Sequence, residues 1–146
     1  MSGADRRPLR LASPRRWFSL PNAAIAFVFL WFSVGGIAHF AATALEMRIV
    51  PPDIPWPRAI VLVSGAFELL GAGGLLLRST RRAAACGLFL LTIAVTPAHF
   101  YMLQRPDLFD VPYWLLIARL PLQLALLGII ASIVWTDRPA AVGQNP

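Results

Sequence analysis

Two charged residues lie deep inside apolar sequence, Glu68 in the run 58–77 and Arg119 in the run 113–135, and any acid–base chemistry in this chain would start from them. Glu68 stands about ten residues into its run, roughly 15 Å along a helix, which is the middle of a bilayer. A charged residue at that depth costs about 2.5–3.5 kcal/mol on insertion scales, so an ionised Glu68 needs a partner or a proton. Arg119 is about six residues, or roughly 9 Å, into its helix, and Gln123 follows one turn deeper on the same face. The two charges differ in depth by about 6 Å at helical rise, a gap the arginine side chain bridges. An ion pair between Glu68 and Arg119 is therefore expected, since it removes two isolated charges at once. Such a pair either braces the bundle or shapes a polar pocket.

Polar stripes point the same way. Ser33, Gly36, His39, Thr43 and Glu46 recur at spacings of three and four, as do Thr92, Thr96 and His99, so each set lies on one helix face. On the Glu68 helix, Ser64, Gly65, Gly71 and Ala72 share its face, and such small residues let a neighbouring backbone come close. Pro97 and Pro121 have no N–H, which frees the carbonyls of Ile93 and Ile117 beside these stripes. His39 and His99 open two readings: interhelical hydrogen bonding by the imidazoles, or bis-histidine haem ligation. Haem would need an edge slot in a small bundle that already houses Glu68 and Arg119, so it is the less favoured. A metal on His39, His99 and Glu46 is no better supported, because ligands this scattered specify no geometry. No metal site and no intrinsic cofactor is expected.

Several chemistries are excluded outright. Cys86 is the only cysteine, so there is no intrachain disulfide, zinc knuckle or C-x-x-C redox pair. No phosphate-cradling loop, nucleophile elbow or H-E-x-x-H motif occurs, and Gly71, Gly73 and Gly74 lie inside an apolar run where they read as helix-packing surface. The sequence therefore holds no self-contained catalytic motif.

Helices must carry these residues. With 58% hydrophobic and 14% charged residues and a mean hydropathy of +0.65, the 146-residue chain is too apolar for a water-soluble domain. Four stretches, about 22–44, 58–77, 83–103 and 113–135, reach the roughly 20 residues that a span needs. The fold predicted is all-α: a single four-helix membrane domain over 22–135, preceded by a basic arm (1–21) and followed by a short tail (136–146). The Pro-rich segment 49–57 and the segment 104–112 form the two longer connections, and 78–82 a tight one.

All 13 cationic residues are arginine. Outside the spans, Arg6, Arg7, Arg10, Arg15, Arg16, Arg78, Arg81, Arg82 and Arg138 fall on one side, and Arg48, Arg58 and Arg105 on the other with Glu46, Asp53, Asp107 and Asp110. The positive-inside rule then puts both termini in the cytoplasm, with the arm held on anionic headgroups. Trp17, Trp56, Trp114 and Trp135 fall at the expected interfaces. A cleaved signal ending at Ala42-Thr43-Ala44, with Arg15-Arg16 as a twin-arginine start, competes. It requires an overlong apolar region and spoils the charge asymmetry. The arginines flank apolar runs and form no stripe with interleaved aromatics, so nucleic acid is not an expected partner.

Ala38-His39-Phe40 and Ala98-His99-Phe100 end the first and third spans alike, and each precedes an acidic, Pro-containing loop closed by Trp56 or Trp114. That pattern suggests two repeated helical hairpins related by an axis along the membrane normal.

Read together, Gly36-Ile37-Ala38-His39-Phe40, Val50-Pro51-Pro52-Asp53-Ile54-Pro55, Ser64-Gly65-Ala66-Phe67-Glu68-Leu69-Leu70-Gly71, Thr80-Arg81-Arg82-Ala83-Ala84, Thr96-Pro97-Ala98-His99 and Arg119-Leu120-Pro121-Leu122-Gln123 resemble, in order and spacing, the DoxX-like family of small bacterial membrane proteins. The resemblance covers about residues 24–135. It implies a four-helix membrane bundle and carries the family motifs onto His39, Glu68, Arg119, Pro121 and Gln123. At His99 many members have Asn, which hydrogen-bonds well but ligates haem poorly. The name-giving members form the small membrane subunit of a thiosulfate:quinone oxidoreductase, and others are linked to membrane redox complexes or protein assembly.

The function expected is that of a bacterial inner-membrane accessory subunit of an oxidoreductase system. Its outward-facing polar pocket, built of Glu68, Arg119, Gln123, His39 and His99, would touch a quinone. Its partners would be the lipid bilayer, membrane or periplasmic redox proteins and further copies of itself. Two alternatives use the same residues: a non-enzymatic scaffold or assembly factor, and a small-solute or proton pathway.

Overall fold

The computed structural model describes residues 20–137. Six α-helices occur among them: α1 (Leu20–Ala41), α2 (Thr43–Glu46), α3 (Pro57–Leu76), α4 (Arg81–Ala94), α5 (Thr96–Gln104) and α6 (Tyr113–Thr136). Four segments, Asn22–Ala41, Pro57–Leu76, Arg81–Gln104 and Tyr113–Thr136, are long and apolar enough to cross a membrane. The basic arm up to residue 19 and the tail beyond 137 lie outside the described residues, and with them Trp17 and half of the arginines behind the orientation argument.

Two of the expected spans are broken. At Ala42 the backbone leaves the helix (φ −124°, ψ 33°), and the Thr43 hydroxyl donates to the carbonyls of His39 at 2.7 Å and Phe40 at 3.2 Å. A threonine hydroxyl competes with backbone N–H groups for such carbonyls. The chain nonetheless continues helically through α2 and a 3₁₀ turn at Met47–Ile49. The second break is at Val95, two residues before Pro97, where α4 stops and α5 begins with proline in its first turn. Proline suits the first turn of a helix, whereas in an interior it removes a backbone hydrogen bond. Pro121 differs from this, since α6 runs through it from Tyr113 to Thr136.

The helices form a ring in which α1 packs on α3 and α6, and α4 packs on α3 and α6, with α5 continuing α4 along α6. Consequently α1 lies diagonally opposite α4–α5, and α3 diagonally opposite α6. Each helix turns one narrow seam inward at the three-and-four spacing of near-aligned packing. On α3 the buried positions are Val61, Gly65, Ala72 and Leu75, and on α6 they are Leu116, Gln123, Leu126, Ile130 and Ile133. Val28, Phe32, Ala72, Leu75, Ala85, Leu88, Leu126, Ile130 and Ile133 make a continuous apolar core. That core occupies the half of the bundle nearest the short connection at residues 77–80. The outward faces carry Leu30, Val34, Leu70 and Leu124, each 59% exposed or more, a surface that suits an apolar surrounding better than water. Trp56 and Trp114 are exposed at the end bearing the two longer connections and Trp135 at the opposite end, the levels at which indole rings line a bilayer.

Glycines set the closest contacts. A methyl group built on Gly36 would lie 3.1 Å from the Gly65 carbonyl oxygen, and one on Gly65 only 2.6 Å from His39 Cβ. Gly71 and Gly74 receive Leu88 and Ala84 of α4 in the same way. Gly65→Ala should therefore destabilise the bundle by about 1–3 kcal/mol, the usual cost of overpacking. Gly73→Ala and Gly87→Ala, where nothing lies within 4 Å, should be neutral or gain up to about 1 kcal/mol of helix propensity. Unfolding of the purified protein in mixed micelles would measure all three, and equal losses at the three sites would refute this account of the crossing.

Candidate functional site

All five polar residues singled out in the sequence sit on inward seams, in the half of the bundle that bears the longer connections. Glu68 falls between Gly65 and Ala72 on the α3 seam, and Arg119 between Leu116 and Gln123 on that of α6. His39 is one turn past Gly35 and Gly36 on α1. His99 lies between Thr92 and Met102, the buried positions of α4 and α5.

The expected Glu68–Arg119 pair does not form. The partner of Glu68 is His39, with Nε2 3.5 Å from Oε1 and both side chains largely buried. The reason is the ring order: α3 and α6 are diagonal, while α1 and α3 are neighbours crossing at Gly36 and Gly65. The carboxylate lies against the bare backbone of Gly35, where a Cβ would come within 2.7 Å of Glu68 Oε2. His39 also lies deeper than an α1 ending at the membrane surface would place it, because the chain stays helical to Ile49. A signal for the pairing was present in the matched spacings Gly36-x-x-His39 and Gly65-x-x-Glu68.

Gln123 forms a second cluster. Its Nε2 donates to the carbonyl of Thr92 at 2.8 Å and to Thr96 Oγ1 at 2.7 Å, while the hydroxyls of Thr92 and Thr96 donate to the carbonyls of Leu88 and Thr92. The amide thus serves the backbone at the α4–α5 break, where an apolar medium offers no water in exchange. Arg119 reaches neither acid nor amide, and its Nη1 lies 3.1 Å from Met102 Sδ, a weak acceptor. Sequence reasoning did not anticipate Met102 as a contact.

Among the described residues, four buried polar atoms have no hydrogen-bond partner: His39 Nδ1, Glu68 Oε2, His99 Nδ1 and Gln123 Oε1. All belong to the polar half of the seams. No group of three His, Cys, Asp or Glu side chains that could hold a metal is gathered among the described residues. A crevice of about 700 Å³ runs between the first long connection and α5, lined by Pro51, Pro52, Asp53, Thr96, Phe100 and Arg105 among others. Thr96 is shared between this crevice and the Gln123 cluster, so the crevice reaches the polar seam at the helix break.

Outside the spans, Arg105 Nε and Nη2 donate to Asp107 at 3.2 and 3.0 Å, which holds the Asp107 carboxyl below its ordinary range. A depressed carboxyl contributes stability above its unfolded pKa of about 3.9 and loses it as pH falls through the lower folded value. Both groups are fully exposed, so solvent screens that contribution. Asp107→Asn should leave the melting temperature at pH 7 unchanged.

These features define a class, an all-helical chain with four helices long and apolar enough to cross a membrane and a polar seam confined to one half of the bundle. The chain belongs to the family described as Domain of unknown function (DUF8561), matched over residues 28–135, which spans all four helices. No curated protein and no solved structure matches it.

Gln123→Leu should cost about 1–2 kcal/mol, because it removes the amide's bonds to the Thr92 carbonyl and Thr96 Oγ1. In a double-mutant cycle with Thr96→Val, the coupling should be about 0.6 kcal/mol, the mean for such bonds in membranes. Additive losses would mean that the amide and the hydroxyl do not act together.

Proposed function

We propose that this protein is a membrane subunit of a bacterial oxidoreductase system, holding a quinone-class headgroup in the polar half of its bundle. The observation that carries the reading is the set of four unpartnered buried polar atoms on the inward seams. Each such group costs about 1–3 kcal/mol when left unmade, and a small ring bearing oxygens that accept or donate hydrogen bonds would meet several of them together. His39 and Glu68 supply the chemistry. One holds a proton where the other can receive it, at a depth reached by lipophilic carriers, and quinone reduction consumes protons along with electrons. The electrons would come from a membrane or periplasmic partner enzyme. The crevice between the first long connection and α5 gives such an amphiphile a way in, with apolar Ile93 and Phe100 beside polar Asp53 and Arg105. The motif resemblance to DoxX-like proteins supports the same reading. With both termini in the cytoplasm, the polar half faces outward, and the two hairpins α1–α3 and α4–α6 act as repeats that place His39 and His99 on diagonal helices.

A specific observation favours the second reading, a non-enzymatic scaffold or assembly factor. Ala118, Pro121, Ala125, Gly128 and Ser132 form an exposed stripe of small residues along α6, the kind of face on which another membrane helix, or a second copy, packs closely. A small-solute or proton pathway has less support, since the other half of the seams is filled by the apolar core from Phe32 to Ile133.

The deciding experiment is purification from native membranes in mild detergent, followed by mass spectrometry of extracted small molecules. Stoichiometric quinone should co-purify with the wild type and fall at least about tenfold, equivalent to 1.4 kcal/mol, in Glu68→Gln and His39→Ala variants that keep normal yield. Wild-type protein carrying only lipid and stable protein partners would sink the quinone reading in favour of the scaffold.

A further inference from the structure

Arg119 is a half-buried seam cation to which no acid answers among the described residues. Among the described residues its one hydrogen bond goes to the Met102 thioether, and the ion pairs are His39–Glu68, Arg81–Asp137 and Arg105–Asp107. Asp107, at the same end of the bundle, is thus already taken by Arg105. An arginine keeps its proton in any such setting, and its planar fork matches a carboxylate or phosphate in two-point contact.

Depth narrows the choice of anion. A helical side chain leans toward the N-terminus of its helix, which for α6 is the long-connection end. Met102, which the guanidinium touches, lies two residues before the last residue of α5, Gln104, hence roughly 3 Å from the end of that helix. The charge therefore stands toward the long-connection end of the bundle, where α6 begins with the exposed Tyr113 and Trp114. One turn deeper on α5 than Met102 stands His99, whose Nδ1 is buried with no partner. Deeper along α6 than Arg119, Leu122 and Leu124 are exposed and offer an apolar track. Cation above and apolar track below match an anionic amphiphile rather than a free ion.

We propose that Arg119, with His99, binds the phosphodiester of an anionic lipid between α5 and α6. The site uses α5 and α6, whereas His39 and Glu68 stand on α1 and α3. Two phosphate oxygens accept from the guanidinium, His99 donates from Nδ1 to a third acceptor, and the acyl chains follow Leu122 and Leu124.

Native mass spectrometry of the full chain, offered equal amounts of phosphatidylglycerol and phosphatidylcholine with identical acyl chains, tests this directly. The wild type should retain one phosphatidylglycerol about tenfold in preference to phosphatidylcholine. Arg119→Gln should abolish the preference, His99→Ala weaken it, Arg119→Lys keep part of it and Arg105→Gln leave it intact. Millimolar inorganic phosphate should not displace the lipid. The proposal is overturned by a wild type without preference, by retention in Arg119→Gln, or by displacement with phosphate, which would make the site one for a free anion. Should Arg119→Gln not fold, the wild-type ratio and the phosphate competition still decide.

Discussion

The close approach of α1 and α3 at Gly36 and Gly65 is the contact on which the polar half of the bundle depends. With no side chain on either residue, the Gly65 carbonyl comes within van der Waals reach of where a Gly36 methyl would stand. That proximity brings His39 Nε2 to 3.5 Å from Glu68 Oε1 and seats the carboxylate on Gly35. In hydrocarbon a carboxyl group alone must give up its charge or find a partner. Here the partner is supplied by backbone geometry, since any larger residue at the crossing would push the two helices apart and separate the pair.

A second constraint sits on the opposite side of the ring and has a different origin. Pro97 cannot donate to the backbone one turn earlier, so α4 ends and α5 begins in mid-bundle. An apolar surrounding tolerates irregular backbone only where other groups serve it. Gln123 does so, linking the Thr92 carbonyl and the Thr96 hydroxyl through one amide. The polar residues of α6 thus face a break that needs them, and the crevice beside Thr96 opens at that same irregularity.

The four apolar helices, the break near Pro97 and the inward placement of Glu68, Arg119, Gln123, His39 and His99 could be read from hydropathy, proline and three-and-four spacing, whereas the break at Ala42, which no proline marks, and the unbroken run of α6 through Pro121 could not. These signals are local, and each helix carries its own. The identity of Glu68's partner is a property of helix order around the ring, which no single stretch encodes. Depth counted from predicted span ends favoured Arg119. Depth in the fold favours His39, because α1 is prolonged by Thr43–Glu46 and Met47–Ile49 past the point where the apolar run fades. The Met102 contact was equally hidden, since a thioether in an apolar run carries no polar signal.

The division of the seams into unlike halves constrains what the bundle can do. From Ala72 and Leu75 across to Ile130 and Ile133, the core at one end is closed, apolar and without polar atoms left unmade. All four unpartnered buried atoms lie in the other half. A conduit needs polar continuity from face to face, whereas a receptor for a lipophilic headgroup needs polarity at one depth and an impermeable floor beneath it. The packing of Leu88 into Gly71 and of the α6 isoleucines into the core supplies that floor. This asymmetry favours a bundle that holds a ligand over one that passes a solute.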